Sequence, residues 1–214
     1  MTGPLQLTEF TQVRDAVIAE VLPLLKLHAR IETGTAEDLL LARYIGMAVS
    51  SAENYLLRDV WPTTRVWEGD LMAGHYLPDY AMSGYGISAL TSANFPPAFI
   101  VRRGRARSLT ILDSAGVTLP ADQVAVLSSA DPKTWGFQLF ARGVALNGIK
   151  VTAELGFASF AEMPDDLQGF ILAAAAAYYE VRELANYGGG ASGVDTASFM
   201  PTYLLDSWAN LTYA

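Results

Sequence analysis

TAEDLLLARYIGMAVSSAENYLLRDVWP, residues 35–62, is the stretch on which the fold turns. Leu41, Ile45, Ala48, Ala52, Tyr55 and Leu56 recur at intervals of three and four, the period at which one face of an α-helix repeats. Thr35 stands as an N-cap, with Asp38 three residues on in a capping-box position, where its carboxylate complements the positive end of the helix dipole. Trp61-Pro62 closes the segment, because the residue before a proline is pushed out of the α region. The pattern predicts a helix over 36–58. Just upstream, VLPLLKLHARI (21–31) reads as a short apolar helix that ends at the turn Glu32-Thr33-Gly34.

A second long helix is predicted over 165–187. Pro164 suits a first helical position, Asp165 and Asp166 fill the first turn, and Gly188-Gly189-Gly190 follow the end. Leu167, Phe170, Ile171, Ala174, Tyr178, Val181 and Ala185 form one stripe, and the alanines 173–177 offer a smooth face on which another helix can lie close. The two long helices are expected to pack stripe to stripe. Asp165 and Asp166 do not form a catalytic acid pair, since adjacent helical residues point about 100° apart. Beyond the glycine-rich connector GGGASG (188–193), PTYLLDSWANLTY (201–213) reads as a short helix with an apolar face of Leu204, Leu205, Trp208 and Leu211. A tethered apolar helix of that kind either folds back or docks on a neighbour.

Between these ends the grammar changes to strands. AFIVRR, RSLTILD, QVAVLSS, GFQLFAR and KVTAELGF are runs rich in β-formers. Asp113-Ser114-Ala115-Gly116 suggests a tight turn and Asn147-Gly148 a hairpin. Residues 72–96 have no clean period and read as a long loop, with room for an edge strand. Helices at both ends with strands between them give an α+β class. Residues 1–62 and 157–214 are expected to form a helical core and 63–156 an inserted β-rich segment, together one structural unit.

Composition narrows the function. The 214 residues include 22 Asp and Glu against 14 Lys and Arg, a formal charge of −8, which disfavours a nucleic-acid binder that relies on overall charge. With no Cys there is no disulfide, thiolate nucleophile or cysteine metal site. The start lacks the pattern of a signal peptide, and the longest apolar run, FILAAAAAYY (170–179), is about half a membrane span. A soluble chain made in a cytoplasm is expected. His28 and His75 have no partners at metal-ligand spacing, GGGASG lacks the Lys-Ser/Thr of a phosphate loop, and no G-x-S-x-G elbow occurs. No catalytic, cofactor-binding or metal-binding residue is assigned, no cofactor is expected, and the chain is read as not an enzyme. Tyr178, Tyr179, Trp61, Trp67 and Trp135 read as core.

One local feature runs against the global charge. VRRGRARSL (101–109) carries Arg102, Arg103, Arg105 and Arg107, more than a quarter of all the positive charge. On a strand or hairpin arm over 98–112, Arg103, Arg105 and Arg107 would share one face and Arg102 the other. Gly104 between them allows a bulge or a close approach. A row of arginine without lysine suits carboxylate or phosphate partners. The strip is therefore read as facing an acidic partner or DNA, with protein favoured over DNA; the alternative reading is an exposed, solvated basic strand.

Three phrases in order resemble the head–tail connector, or adaptor, family of tailed bacteriophages. The first is Leu25, Lys26, His28, Arg30 and Ile31, then Glu37 and Asp38, then Tyr44, Ile45, Ala48, Glu53, Tyr55 and Leu56. The second is Val151 and Gly156, then Pro164, Asp166, Leu167, Ile171, Tyr178, Tyr179, Glu180, Arg182 and Glu183. The third is the weaker LLDSW (204–208), which lacks the arginine with which the family often closes. The resemblance implies a structural virion protein that forms a ring, usually dodecameric, below the portal, extends the DNA channel and docks the tail or stopper. Its partners would be copies of itself, the portal protein, a tail or stopper protein and genomic DNA in transit, with no membrane. Its place would be the head–tail junction of the virion, after assembly in the host cytoplasm. Leu204, Leu205, Trp208 and Leu211 would then meet a neighbouring subunit or the portal. The competing readings are a nucleic-acid-binding protein that uses the arginine strip and, with least support, a small hydrolase.

Overall fold

The computed structural model describes residues 4–31, 34–71, 73–74, 99–128, 136–142, 145–187 and 201–209. It has the α+β class, with its backbone divided into two compact units.

The helical unit, Val13–Pro62 and Phe157–Asn210, contains α1 (Asp15–His28), α2 (Asp38–Leu56), α3 (Asp165–Tyr187) and the short α4 (Asp206–Ala209). Val17, Val21 and Leu25 recur every fourth residue on α1, and all are buried. They join Leu41, Ile45, Ala48, Val49, Ala52 and Leu56 of α2 and Leu167, Phe170, Ile171, Ala174 and Ala175 of α3 in one core. Each fully buried Leu, Ile or Phe there is worth roughly 1.5–3 kcal/mol of transfer free energy. Polar contacts fix how α2 meets α3: Tyr44 and Tyr178 stack at 6.2 Å, the Ser51 and Tyr178 hydroxyls lie 3.2 Å apart, and the Tyr179 hydroxyl donates to Glu37 Oε2 at 2.8 Å.

Helix α3 has the bounds expected of it, and α1 starts six residues before the stretch that announced it. Val17 extends the Val21–Leu25 spacing, and Pro23 lies on the exposed side. The capping box at Thr35 does not form. Residues 35–37 make a turn with Asp38 N–H on Thr35 O at 3.2 Å, and Asp38 is committed to an ion pair with Lys26, which also donates to Gly34 O. At its other end α2 stops before the proline has any influence. Leu57 takes a left-handed φ of 53°, and Glu53 Oε1 accepts the N–H groups of Val60 (2.9 Å) and Trp61 (3.1 Å).

The β unit, Met1–Gln12, Thr63–Gly156 and Leu211–Ala214, holds two sheets among the described residues. The first is antiparallel in the order β1 (Gln6–Gln12), β2 (Thr63–Leu71), β8 (Leu146–Leu155), β5 (Ser108–Leu112). In the second, β7 (Phe137–Arg142) pairs antiparallel with β4 (Phe99–Val101) and β6 (Val124–Ser128), and parallel with the short β3 (Ala73–Gly74). Ile149, Val151, Ala153 and Leu155 alternate inward along β8 and meet Trp67, Ile111, Phe137 and Leu139 in the core. Trp67 packs edge-on against both Phe99 and Phe137.

Three expectations are corrected here. Residues 1–12 do not join the helical part: β1 pairs with β2, and neither strand shows in the sequence. Six of the seven β1 residues are exposed, so no apolar alternation announces it; backbone pairing and the Arg65 guanidinium 4.6 Å over the Phe10 ring hold it. Asn147-Gly148 is not a hairpin turn. It lies inside β8, where the register with β2 shifts between Gly69 and Leu71; Gly148 has φ 64° and donates its N–H to Asp70 Oδ1 at 2.9 Å. The 98–112 segment is not one arm, because β4 and β5 belong to different sheets. The Asp113–Gly116 turn does form, with Asp113 Oδ1 accepting from Ala115 and Val117 N–H, both at 2.8 Å.

Candidate functional site

Residues 102–107 carry the chain from the end of β4 to the start of β5, and this crossing explains their shape. Val101 ends β4 in one sheet, while the N–H of Arg107 bonds Glu154 O at 2.7 Å as the chain enters the other. Between them the backbone turns at a buried Gly104 with φ 94°. Arg102, Arg103, Arg105 and Arg107 are all exposed. The shared face expected from a period of two does not apply, since no strand spans them. The strip is a cationic loop anchored at both ends in β-structure, and Arg105 already has an interaction partner within the chain.

The C-terminal residues stand otherwise than expected. Leu205 and Trp208 are fully buried in the helical core, and Leu204 is half-buried. The Trp208 ring meets Phe157 edge-on at 6.5 Å, lies under the Arg58 guanidinium at 5.1 Å, and donates its Nε1–H to Asp166 Oδ2 at 2.6 Å. The Tyr55 hydroxyl donates to Asp206 Oδ1 at 2.6 Å, and this hydrogen bond to the carboxylate raises the Tyr55 pKa above its ordinary value. Folding back satisfies an indole N–H and buries a large ring, so these side chains are core rather than a waiting interface. Tyr203, which the sequence did not single out, is an exposed aromatic of the segment at 71%. Leu211, His75, Trp135 and GGGASG lie outside the described residues.

Among the described residues, no group of three His, Asp or Glu side chains converges as metal ligands. His28 is exposed at the end of α1. A cleft in the β unit is lined by Pro4, Gln6, Glu68, Asp113 and Lys150 among others. Its lysine is paired with Glu68 at 3.0 Å and Glu9 at 3.8 Å, which raises the Lys150 pKa, and its aspartate is spent on its own turn. Asp166, read as a helix-start charge, has a second task as the Trp208 acceptor; no local signal could reveal a partner 42 residues away.

No protein-family model matches the sequence, and no curated protein matches it. Solved structures do. The fold is similar to that of a chain in the neck of an empty gene transfer agent particle computed with C6 symmetry, with a TM-score of 0.56 and 20% identity over 94% of this chain and 95% of that one. A chain from the virion of the native gene transfer agent particle gives 0.52 and 17%, over 90% and 93%. A chain from the neck of the native particle computed with C12 symmetry gives 0.50 and 18%, over 94% of each. The likeness is one of fold, it covers nine-tenths or more of each chain, and it is consistent with the head–tail connector resemblance in the sequence.

Proposed function

We propose that this chain is a structural protein of the neck of a phage-like particle. In this reading it is a head–tail connector without enzymatic activity that assembles as a ring below the portal, extends the DNA channel and docks a tail or stopper protein. The observation that carries the reading is the fold likeness to neck chains, which covers 94% of this chain and at least 94% of each of those. The C6 and C12 symmetries of those structures support a self-assembled ring, and a closed ring of more than two copies needs two different, complementary patches on each subunit. No helix of the described residues is long and apolar enough to cross a membrane; the place proposed for the chain is the head–tail junction. Assembly would take place in the host cytoplasm, and twelve copies per particle are expected.

The test is to delete the chain genetically and image the resulting particles. Filled heads without tails, rescued by supplying the chain, are the expected result. Normal tailed particles, or purified particles in which the chain is undetectable by mass spectrometry, would refute the proposal.

A second reading, DNA contact through Arg102, Arg103, Arg105 and Arg107, draws on the exposure of all four residues. A channel lined by tight phosphate contacts from every subunit would hold back the DNA it must pass.

A further inference from the structure

The net negative charge of this chain belongs to one of its two units. Val13–Pro62 and Phe157–Asn210 hold fourteen Asp and Glu against six Lys and Arg, a net of −8. Met1–Gln12, Thr63–Gly156 and Leu211–Ala214 hold eight of each, a net of zero. Four of the eight cations in the neutral unit are Arg102, Arg103, Arg105 and Arg107, all exposed within six positions. Asp15, Asp165 and Glu180 are exposed acids of the other unit. One chain thus carries both halves of a complementary pair, a compact cationic loop and an anionic body.

That arrangement matters for copies that must meet. Chains of net charge −8 repel one another unless the contact brings opposite charges together. A ring contact joins two different patches of the same chain, so both signs must be present on each subunit. Guanidinium forks match carboxylates in a bidentate way, which suits a strip built of arginine without lysine. The same net charge works against long-range attraction of DNA.

We infer that the arginine strip 102–107 of one copy docks on the acidic helical unit of the next copy. The inference rests on the ring reading above and names the partner of its cationic patch.

The experiment uses the full-length chain, mixed as equal parts 15N-labelled and unlabelled protein. In a variant carrying Arg102→Lys, Arg103→Lys and Arg107→Lys, a zero-length carbodiimide joins lysine amines to carboxylates within contact distance. Mass spectrometry of mixed-label peptides then separates coupling between copies from coupling within one. Coupling to acids of 13–62 or 157–210 across copies is expected. Reversal by Arg102→Glu, Arg103→Glu and Arg107→Glu, with Arg105 left in place, should weaken self-association by about tenfold or more in sedimentation near 0.15 M salt. The circular dichroism spectrum should be unchanged. The parent should associate more weakly as salt rises, because screening shortens the reach of exposed charges.

A reversed variant that associates as well as the parent, or a lysine variant that couples across copies only to acids of the β unit, keeps the ring and overturns this contact. A parent that stays monomeric at every concentration in low salt overturns the ring reading itself. Binding to duplex DNA that the reversal abolishes, without coupling between copies, assigns the strip to nucleic acid and also overturns the contact.

Discussion

Trp208→Phe and Trp208→Ala together dissect how the C-terminal segment is held. Trp208 is fully buried, and truncating a buried tryptophan to alanine costs about 3–5 kcal/mol. Phenylalanine keeps much of the ring contact with Phe157 and Arg58 but cannot donate to Asp166 Oδ2. A hydrogen bond to a charged group is worth about 1.5–3 kcal/mol. Asp166 keeps the Leu167 N–H at 2.9 Å after that loss, so the carboxylate is not left without a donor. We therefore expect about 2 kcal/mol for Trp208→Phe and about 4 kcal/mol for Trp208→Ala, within those ranges. Urea unfolding followed by circular dichroism at 222 nm reads both. Asp166→Asn should cost less in the Trp208→Phe background than in the parent, with a coupling of about 1 kcal/mol or more. Trp208→Ala unfolding within about 0.5 kcal/mol of the parent would refute the seating, and Trp208 would return to the candidate interface.

Ala174→Phe should overpack the contact between α2 and α3 and cost about 1–3 kcal/mol, because Ala174 is fully buried there; a parental melting curve would show that the helices do not meet at that face. Tyr55 should titrate above 10.0, since its hydroxyl donates to Asp206 and the charge of that carboxylate opposes ionisation. With the folded pKa above the unfolded one, the stabilisation is complete below pH 10 and is lost as pH rises through the raised value; Asp206→Asn should bring the tyrosine signal in NMR back towards 10.0, and an unmoved midpoint would mean that the pair does not form. Gly148→Val should destabilise the β unit by about 1–2 kcal/mol, because a β-branched residue is forced to a φ of 64°; an unchanged denaturation midpoint would place the bulge elsewhere.

What could be read in advance followed the range of the interactions involved. The bounds of α3 were legible because Pro164, the two aspartates and the following glycines act within a turn of the helix ends they mark. Strand β8 was legible in part, as the run KVTAELGF, because β-formers gathered within a few residues are a property of one strand. Strand β1 was not, since a strand exposed on both faces carries no pattern and exists only through its register with β2. The arginine strip looked like strand because β-formers flank it on both sides. Nothing local says that those two flanks belong to separate sheets.

By itself the sequence determined the α+β class, both long helices, the turn at Asp113 and the concentration of arginine in six positions, because each rests on contacts between residues a few places apart. The tertiary structure alone decided three further points. Asn-Gly supplies a left-handed residue equally to a hairpin turn and to a bulge, and only the Gly69–Leu71 irregularity of the opposite strand selects the bulge. An apolar helix suits a neighbour and its own core alike, and only Asp166, Phe157 and Arg58, brought from three distant positions, seat Trp208 inside. The excess acid belongs to a single body because residues 13–62 and 157–210 fold together, and closing that long loop is a non-local event that no window of sequence contains.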